Sequence, residues 1–228
     1  NLKLLTKNHV YSEEMEHDAC GVGVIASTEG KKSREIVEYG IQALKAVWHR
    51  GAVDADGKTG DGAGIHVEIP KDFFIEKIEV TGHDYDNSEI CVGMIFLPRN
   101  DYSAQENCKT IVESELTKNN FSIYGWRQVP VNPKILGEKA FQTMPEIIQV
   151  LFKSNDFNLI DKNLERKIYE TRKKIENRAF ELSLNNFYIC SISSKSIIYK
   201  GLYLAEAISD FYLDLKDKRF VSRYAIFH

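Results

Sequence analysis

The run Cys20-Gly21-Val22-Gly23-Val24-Ile25-Ala26 most restricts what this chain can become. It is an apolar, strand-like stretch that opens on a thiol and two glycines, where a strand ordinarily opens on a bulky packing residue. Glycine at its head lets a backbone or a ligand come close. The arrangement fits a Cys20 that becomes a chain end, carrying a thiol and a free α-amine on one residue. Thiol sulfur attacks as thiolate and needs a proton acceptor. An α-amine titrates at roughly 7.7–8.0, close to where a general base works best. While residues 1–19 stay attached, that nitrogen is an amide without useful basicity. Asn1–Ala19 therefore reads as a propeptide removed on maturation, and residues 20–228 as the working domain. The plain alternative is that Cys20 is a buried structural thiol.

Gly21-Val22-Gly23-Val24-Ile25-Ala26 also matches the loose dinucleotide fingerprint. That fingerprint must follow a strand and open a helix. Here it follows the charged stretch Ser12–His17 and is itself the strand, so the context rejects it.

The 228 residues carry a net charge of −3, which leaves no basic footprint for nucleic acid. The longest apolar run, Cys91–Leu97, is far too short to cross a bilayer. No signal peptide is visible at Asn1–Val10. Cysteines at 20, 91, 108 and 190 form neither a disulfide framework nor a metal-ligand spacing, which points to a reducing, cytoplasmic setting. Both ends read as cut: Asn1 is no initiator methionine, and Val221–His228 is a strand that stops in mid-course.

Periodicity predicts a strand over Gly21–Ser27 and a helix over Ser33–Trp48. That helix has the stripe Ile36, Gly40, Ala43, Leu44 and Val47, and Gly40 implies a close neighbour. The loop Asp54–Gly64 is glycine-rich, but it lacks the phosphate-loop spacing and its aspartates would repel an anion. Ile65–Ile69 alternates as a strand, with His66 on the solvent or partner side. Lys71–Val80 is a short helix and Cys91–Leu97 a central strand. Ser103–Glu106 reads as a capping box opening a helix that carries Cys108, Ile111, Val112 and Leu116 inward. Strands at Phe121–Val129 and Glu146–Phe152 follow, then a helix over Asp161–Leu182 with Leu164, Ile168, Ile175, Ala179 and Leu182 on one face. Phe187–Ser191 and Ser196–Tyr199 read as a hairpin pair, and Leu202–Leu215 is ambiguous. Such a pattern favours an α+β domain with largely antiparallel sheets.

Four blocks, in register along nearly the whole chain, carry a family resemblance. These are His17-Asp18-Ala19-Cys20-Gly21-Val22-Gly23, Trp48-His49-Arg50-Gly51, Asp56-Gly57-Lys58-Thr59-Gly60-Asp61-Gly62-Ala63-Gly64 and Phe227-His228. Together they resemble the amino-terminal class II glutamine amidotransferase domain of the glutamate synthases. The resemblance implies an N-terminal-nucleophile hydrolase fold, a four-layer αββα sandwich of antiparallel sheets, incomplete at its C-terminus. It implies a glutaminase in which Cys20 is nucleophile and base, while Arg50 and Gly51 hold the cysteine end and shape the pocket floor. For these two residues the structural alternatives are a cation at a helix C-terminus and a glycine just beyond it. Asp56–Gly64 is assigned to the surroundings of the site.

The resemblance further implies that the released ammonia aminates 2-oxoglutarate in downstream synthase domains. FMN and an iron–sulfur cluster belong to those domains, with no cofactor and no metal in this chain, and a small electron-donating subunit is an expected partner. The family's glutamine-gripping arginine and oxyanion donors fall beyond His228, so this piece alone is expected to be inactive. Two alternatives stay open: another class II amidotransferase, against which the long Phe73–Leu182 insert and the Lys58-Thr59-Gly60 loop argue, and a non-catalytic partner-binding module.

Overall fold

The computed structural model describes residues 21–228, so Cys20 and the leader Asn1–Ala19 lie outside the described residues. The chain runs β1 (Gly23–Ala26), α1 (Arg34–Ala46), β2 (Ala63–Glu68), α2 (Lys71–Val80), β3 (Cys91–Leu97) and α3 (Tyr102–Lys118). It continues β4 (Phe121–Gln128), α4 (Glu138–Thr143), β5 (Glu146–Ser154), α5 (Asp161–Glu181), β6 (Tyr188–Ser193), β7 (Ser196–Gly201), α6 (Ile208–Phe211) and β8 (Tyr224–Phe227). The strands form two antiparallel four-stranded sheets, β1-β8-β2-β7 and β4-β5-β3-β6. Helices and antiparallel sheets together make the α+β domain that the sequence leads one to expect.

Sheet one is built around Gly40. Ser33 caps α1, its side chain accepting from the Ile36 amide, and α1 buries Ile36, Val37, Gly40, Ile41 and Leu44. A Cβ placed on Gly40 would come within 2.5 Å of the Ala225 Cβ, so only glycine lets α1 lie this close to β8. On the other face Val24 and its cross-strand partner Ile226 are 62% and 39% exposed, leaving that side of the sheet open.

Sheet two is a unit in its own right. Apart from the short α4 inserted between β4 and β5, the order β3-α3-β4-β5-α5-β6, with sheet order β4-β5-β3-β6, is the split βαβ arrangement. Its outer face is covered by α3 and α5 through Ile95, Leu97, Val112, Leu116, Ile168 and Ile175. Its inner face joins α2, the 203–220 segment and sheet one in a second core containing Met94, Leu151, Phe73, Tyr199 and Phe220.

Several sequence expectations are corrected. The cap of α3 is Asp101, whose carboxylate accepts from the Ala104 amide at 2.9 Å; Ser103 already lies inside the helix, so there is no capping box. β6 and β7 do not pair with each other. β6 pairs with β3 and β7 with β2, because the turn between them carries the chain from one sheet to the other. Glu165 holds that turn, accepting from the Ser193 hydroxyl and from both the amide and the hydroxyl of Ser194. Leu182, expected on the buried stripe of α5, is exposed, and buried Thr171 occupies that face instead. Leu202–Leu215 resolves into short helical turns and α6.

Candidate active site

Helix α1 ends at Ala46 and gives way to a single 3₁₀ turn, Trp48–Arg50. The Arg50 amide donates to Val47 O at 2.9 Å and the Gly51 amide to Trp48 O at 3.0 Å. Gly51 then leaves in extended conformation, φ −92° and ψ 149°. Arg50 is thus the last residue of a 3₁₀ turn, not of the α-helix, and Gly51 is not the left-handed residue that ordinarily follows a helix. What Gly51 provides is room, since a Cβ there would stand 3.2 Å from Asp61 Oδ1.

From Gly51 the chain makes a narrow hairpin back to β2. Val53 bridges Gly60, the Asp61 amide donates to Ala52 O, and the Asp54 amide donates to Thr59 O. Gly57 at its tip has φ 69°, a conformation glycine adopts without strain. The aspartates at the tip are engaged by neighbouring groups of the chain. Asp56 accepts from the amides of Lys58 and Thr59 and from the Thr59 hydroxyl, and Asp54 pairs with Lys139. Those hydrogen bonds, led by the Thr59 hydroxyl, hold the Asp56 carboxyl well below the usual carboxylate range.

This 3₁₀ turn and hairpin form one side of a cavity of about 1300 Å³. Gly21, Trp48, Arg50, Gly51 and Asp61 line it there, and Ile198, Lys200, Gly201 and Leu204 line it opposite, with His66, Ile226 and His228 between. Gly21, the residue after Cys20, is tight against Arg50: a Cβ on it would lie 3.2 Å from the Arg50 Cβ. His228 is fixed by paired backbone bonds with Gly64, at 2.9 and 3.1 Å. Burial pushes the His66 imidazole below its ordinary value, toward the neutral form. Lys200 donates to the Tyr188 hydroxyl at 2.7 Å. Among the described residues, Arg50 makes no ion pair.

The structure therefore brings Arg50, Gly51, the Asp56–Gly64 loop and the residue adjoining Cys20 to one cavity. Cys20 itself lies outside the described residues. The opposite wall, Lys200–Glu206, carries no motif, and only the change of sheet between β6 and β7 delivers it there. Among the described residues no group of three or more His, Cys, Asp or Glu side chains could hold a metal ion.

An open cavity thus lies beside the short amino-terminal strand, lined by Arg50 and Gly51 and reached by Gly21, the residue that follows a cysteine. The family described as glutamine amidotransferases class-II matches residues 20–228, and the chain belongs to that family. Within it the similarity is to glutamate synthases. The chain is 53% identical over its whole length to the glutamate synthase [NADPH] large chain of Azospirillum brasilense, covering 15% of that protein. It is 40% identical over 93% of its length to ferredoxin-dependent glutamate synthase 1, chloroplastic/mitochondrial, of Arabidopsis thaliana, and 36% identical over 93% to ferredoxin-dependent glutamate synthase 2 of Synechocystis. It covers 13% of each of these two proteins.

Proposed function

We propose that this chain supplies the glutaminase half-reaction of a glutamate synthase, with Cys20 as an amino-terminal nucleophile. Removal of residues 1–19 frees the α-amine of Cys20, which accepts the proton of its own thiol. The thiolate attacks the side-chain amide carbon of glutamine, the C–N bond breaks, and ammonia leaves with the transferred proton. Water then hydrolyses the thioester, giving glutamate and regenerating the thiol. Arg50 and Gly51 hold the cysteine end and shape the floor. The ammonia aminates 2-oxoglutarate in a synthase region of the whole protein, where FMN, an iron–sulfur cluster and a small electron-donating subunit would act. We place the protein in the cytoplasm, although plant relatives are named chloroplastic.

The observation that supports this reading is the contact between Gly21 and Arg50 on the wall of the cavity, because it puts the neighbour of Cys20 at the site. The test uses the full-length protein. Mass spectrometry should find a mature chain starting at Cys20, and 6-diazo-5-oxo-norleucine should modify Cys20 and abolish glutamine hydrolysis. A fully active protein that keeps Asn1, or one in which Cys20→Ser leaves glutaminase activity intact, would overturn the proposal.

A further inference from the structure

The tip of the hairpin that floors the cavity is docked against the split βαβ unit. Helix α4, between β4 and β5, has Gly137 as its N-cap. A Cβ on Gly137 would collide with Asp56 Oδ2 and Thr59 Oγ1 and would lie 2.6 Å from the Thr59 amide nitrogen. Only a glycine lets the two segments meet there. The junction is closed by directed bonds. Thr59 Oγ1 donates to Asp56 Oδ2 at 2.6 Å and accepts from the Ala140 amide at 3.4 Å. The Lys139 ammonium pairs with Asp54 at 2.6 Å. Thr59 is buried in this junction. Just behind it, Gly60 lies against the backbone of Tyr203: its Cβ would stand 2.6 Å from Tyr203 O. The hairpin is therefore gripped at its tip by α4 and at its base by the opposite wall of the cavity.

From this geometry we propose that Thr59 and Asp56, clamped on the Gly137–Ala140 corner, are positioning residues for the glutaminase site, so that the split βαβ unit sets the floor at Gly51 and Arg50. The inference rests on the glutaminase reading for its consequence in catalysis, and on the contacts alone for its mechanics. The path is short. Thr59 precedes Gly60 and Asp61, these pair with Val53 and Ala52, and Gly51 lies against Asp61. Loosening the tip frees the floor strand at Gly51 and Asp61, whereas Arg50, at the cysteine end, keeps its 3₁₀ bond to Val47 O, so the loss should fall on glutamine binding.

The test is made in the full-length protein with Thr59→Val, which keeps the side-chain shape and removes the hydroxyl, and with Thr59→Ser, which restores it. Thr59→Val should raise KM for glutamine about tenfold with kcat little changed, and Thr59→Ser should stay close to the parent. Arg178→Ala serves as control. It breaks the Arg178–Glu115 pair between α3 and α5 on the far side of sheet two and should leave KM unmoved. Hydrogen exchange at the Asp54 and Asp61 amides reads the brace without reference to activity, and Thr59→Val should accelerate it. Unchanged exchange there, an unchanged KM in Thr59→Val, damage by Thr59→Ser equal to that by Thr59→Val, or the same KM rise in Arg178→Ala would each overturn the brace. A parent protein that hydrolyses no glutamine would defeat the glutaminase reading instead, and the exchange measurement would still decide the brace.

Discussion

Arg127 on β4 and Asp214 in the turn after α6 face each other as a two-point pair, Nη1 to Oδ2 at 2.8 Å and Nη2 to Oδ1 at 2.5 Å. Arg127 also donates to Gln149 Oε1, and the Tyr199 hydroxyl donates to Asp214 Oδ2. These four residues come from β4, β5, β7 and the 213–216 turn, so the network bolts the split βαβ unit to sheet one. The Asp214 side chain is 3% exposed and that of Arg127 12%. Removing one partner strands a buried charge, which costs about 3–5 kcal/mol, whereas replacing both by apolar residues of similar size costs far less. Arg127→Met and Asp214→Leu should therefore each lower Tm by roughly 10 °C, while the double variant recovers much of the loss. Equal, additive losses in thermal unfolding would show that the pair is not coupled.

The individual elements were legible because each announces itself locally. Ile36, Leu44 and Gly40 mark the buried face of α1, and Ile65 and Val67 alternate along β2. Sheet membership was not legible. The apolar runs of β6 and β7 sit side by side with a short turn between them, the ordinary signature of a hairpin, and only the hold of Glu165 on Ser193 and Ser194 shows why they part company. The α3 cap was misassigned because Asp101 and Ser103 are both competent capping residues two positions apart. At the site, Arg50 and Gly51 stood out through their motif, whereas Lys200 and Leu204 reach the cavity through topology alone. In sequence the glycine loop reads as a row of aspartates that would repel an anion. In the structure Asp54 pairs with Lys139 of α4 and Asp56 packs against Gly137, contacts about eighty residues away in sequence that no local pattern encodes.

The cysteines give a second prediction. Cys91, Cys108 and Cys190 are buried, and burial pushes the thiols of Cys108 and Cys190 up to about 11 and Cys91 well above its ordinary value. At pH 8 a thiol with a pKa near 11 is thiolate in only about one part in a thousand, and thiolate is the reacting form. Iodoacetamide applied to the folded protein at pH 8 should leave all three unmodified, and all three should react in urea. Peptide mass spectrometry that finds any of them alkylated in the native state would contradict the packing described.

Arg219 supports the third. Its guanidinium donates to Asp217 and to Glu76 on α2, joining that helix to the 217–220 turn. The hydrogen bonds from Arg219 are the largest cause holding each carboxyl down, Asp217 and Glu76 both to about 2. Both groups have folded values below their unfolded ones, so the unfolded chain binds more protons between about pH 4.5 and pH 2. The stabilisation is therefore complete above that window and fades as pH falls through it. Arg219→Gln should be less stable than the parent at pH 7, and the gap should close as pH falls from about 4.5 to 2, because protonated carboxyls no longer distinguish the two proteins. Urea unfolding at a series of pH values measures this directly. A gap that stays constant across the window would mean that Arg219 acts through its contact with Phe73, over whose ring it lies at 5.5 Å, and not through its pairs with the two carboxylates.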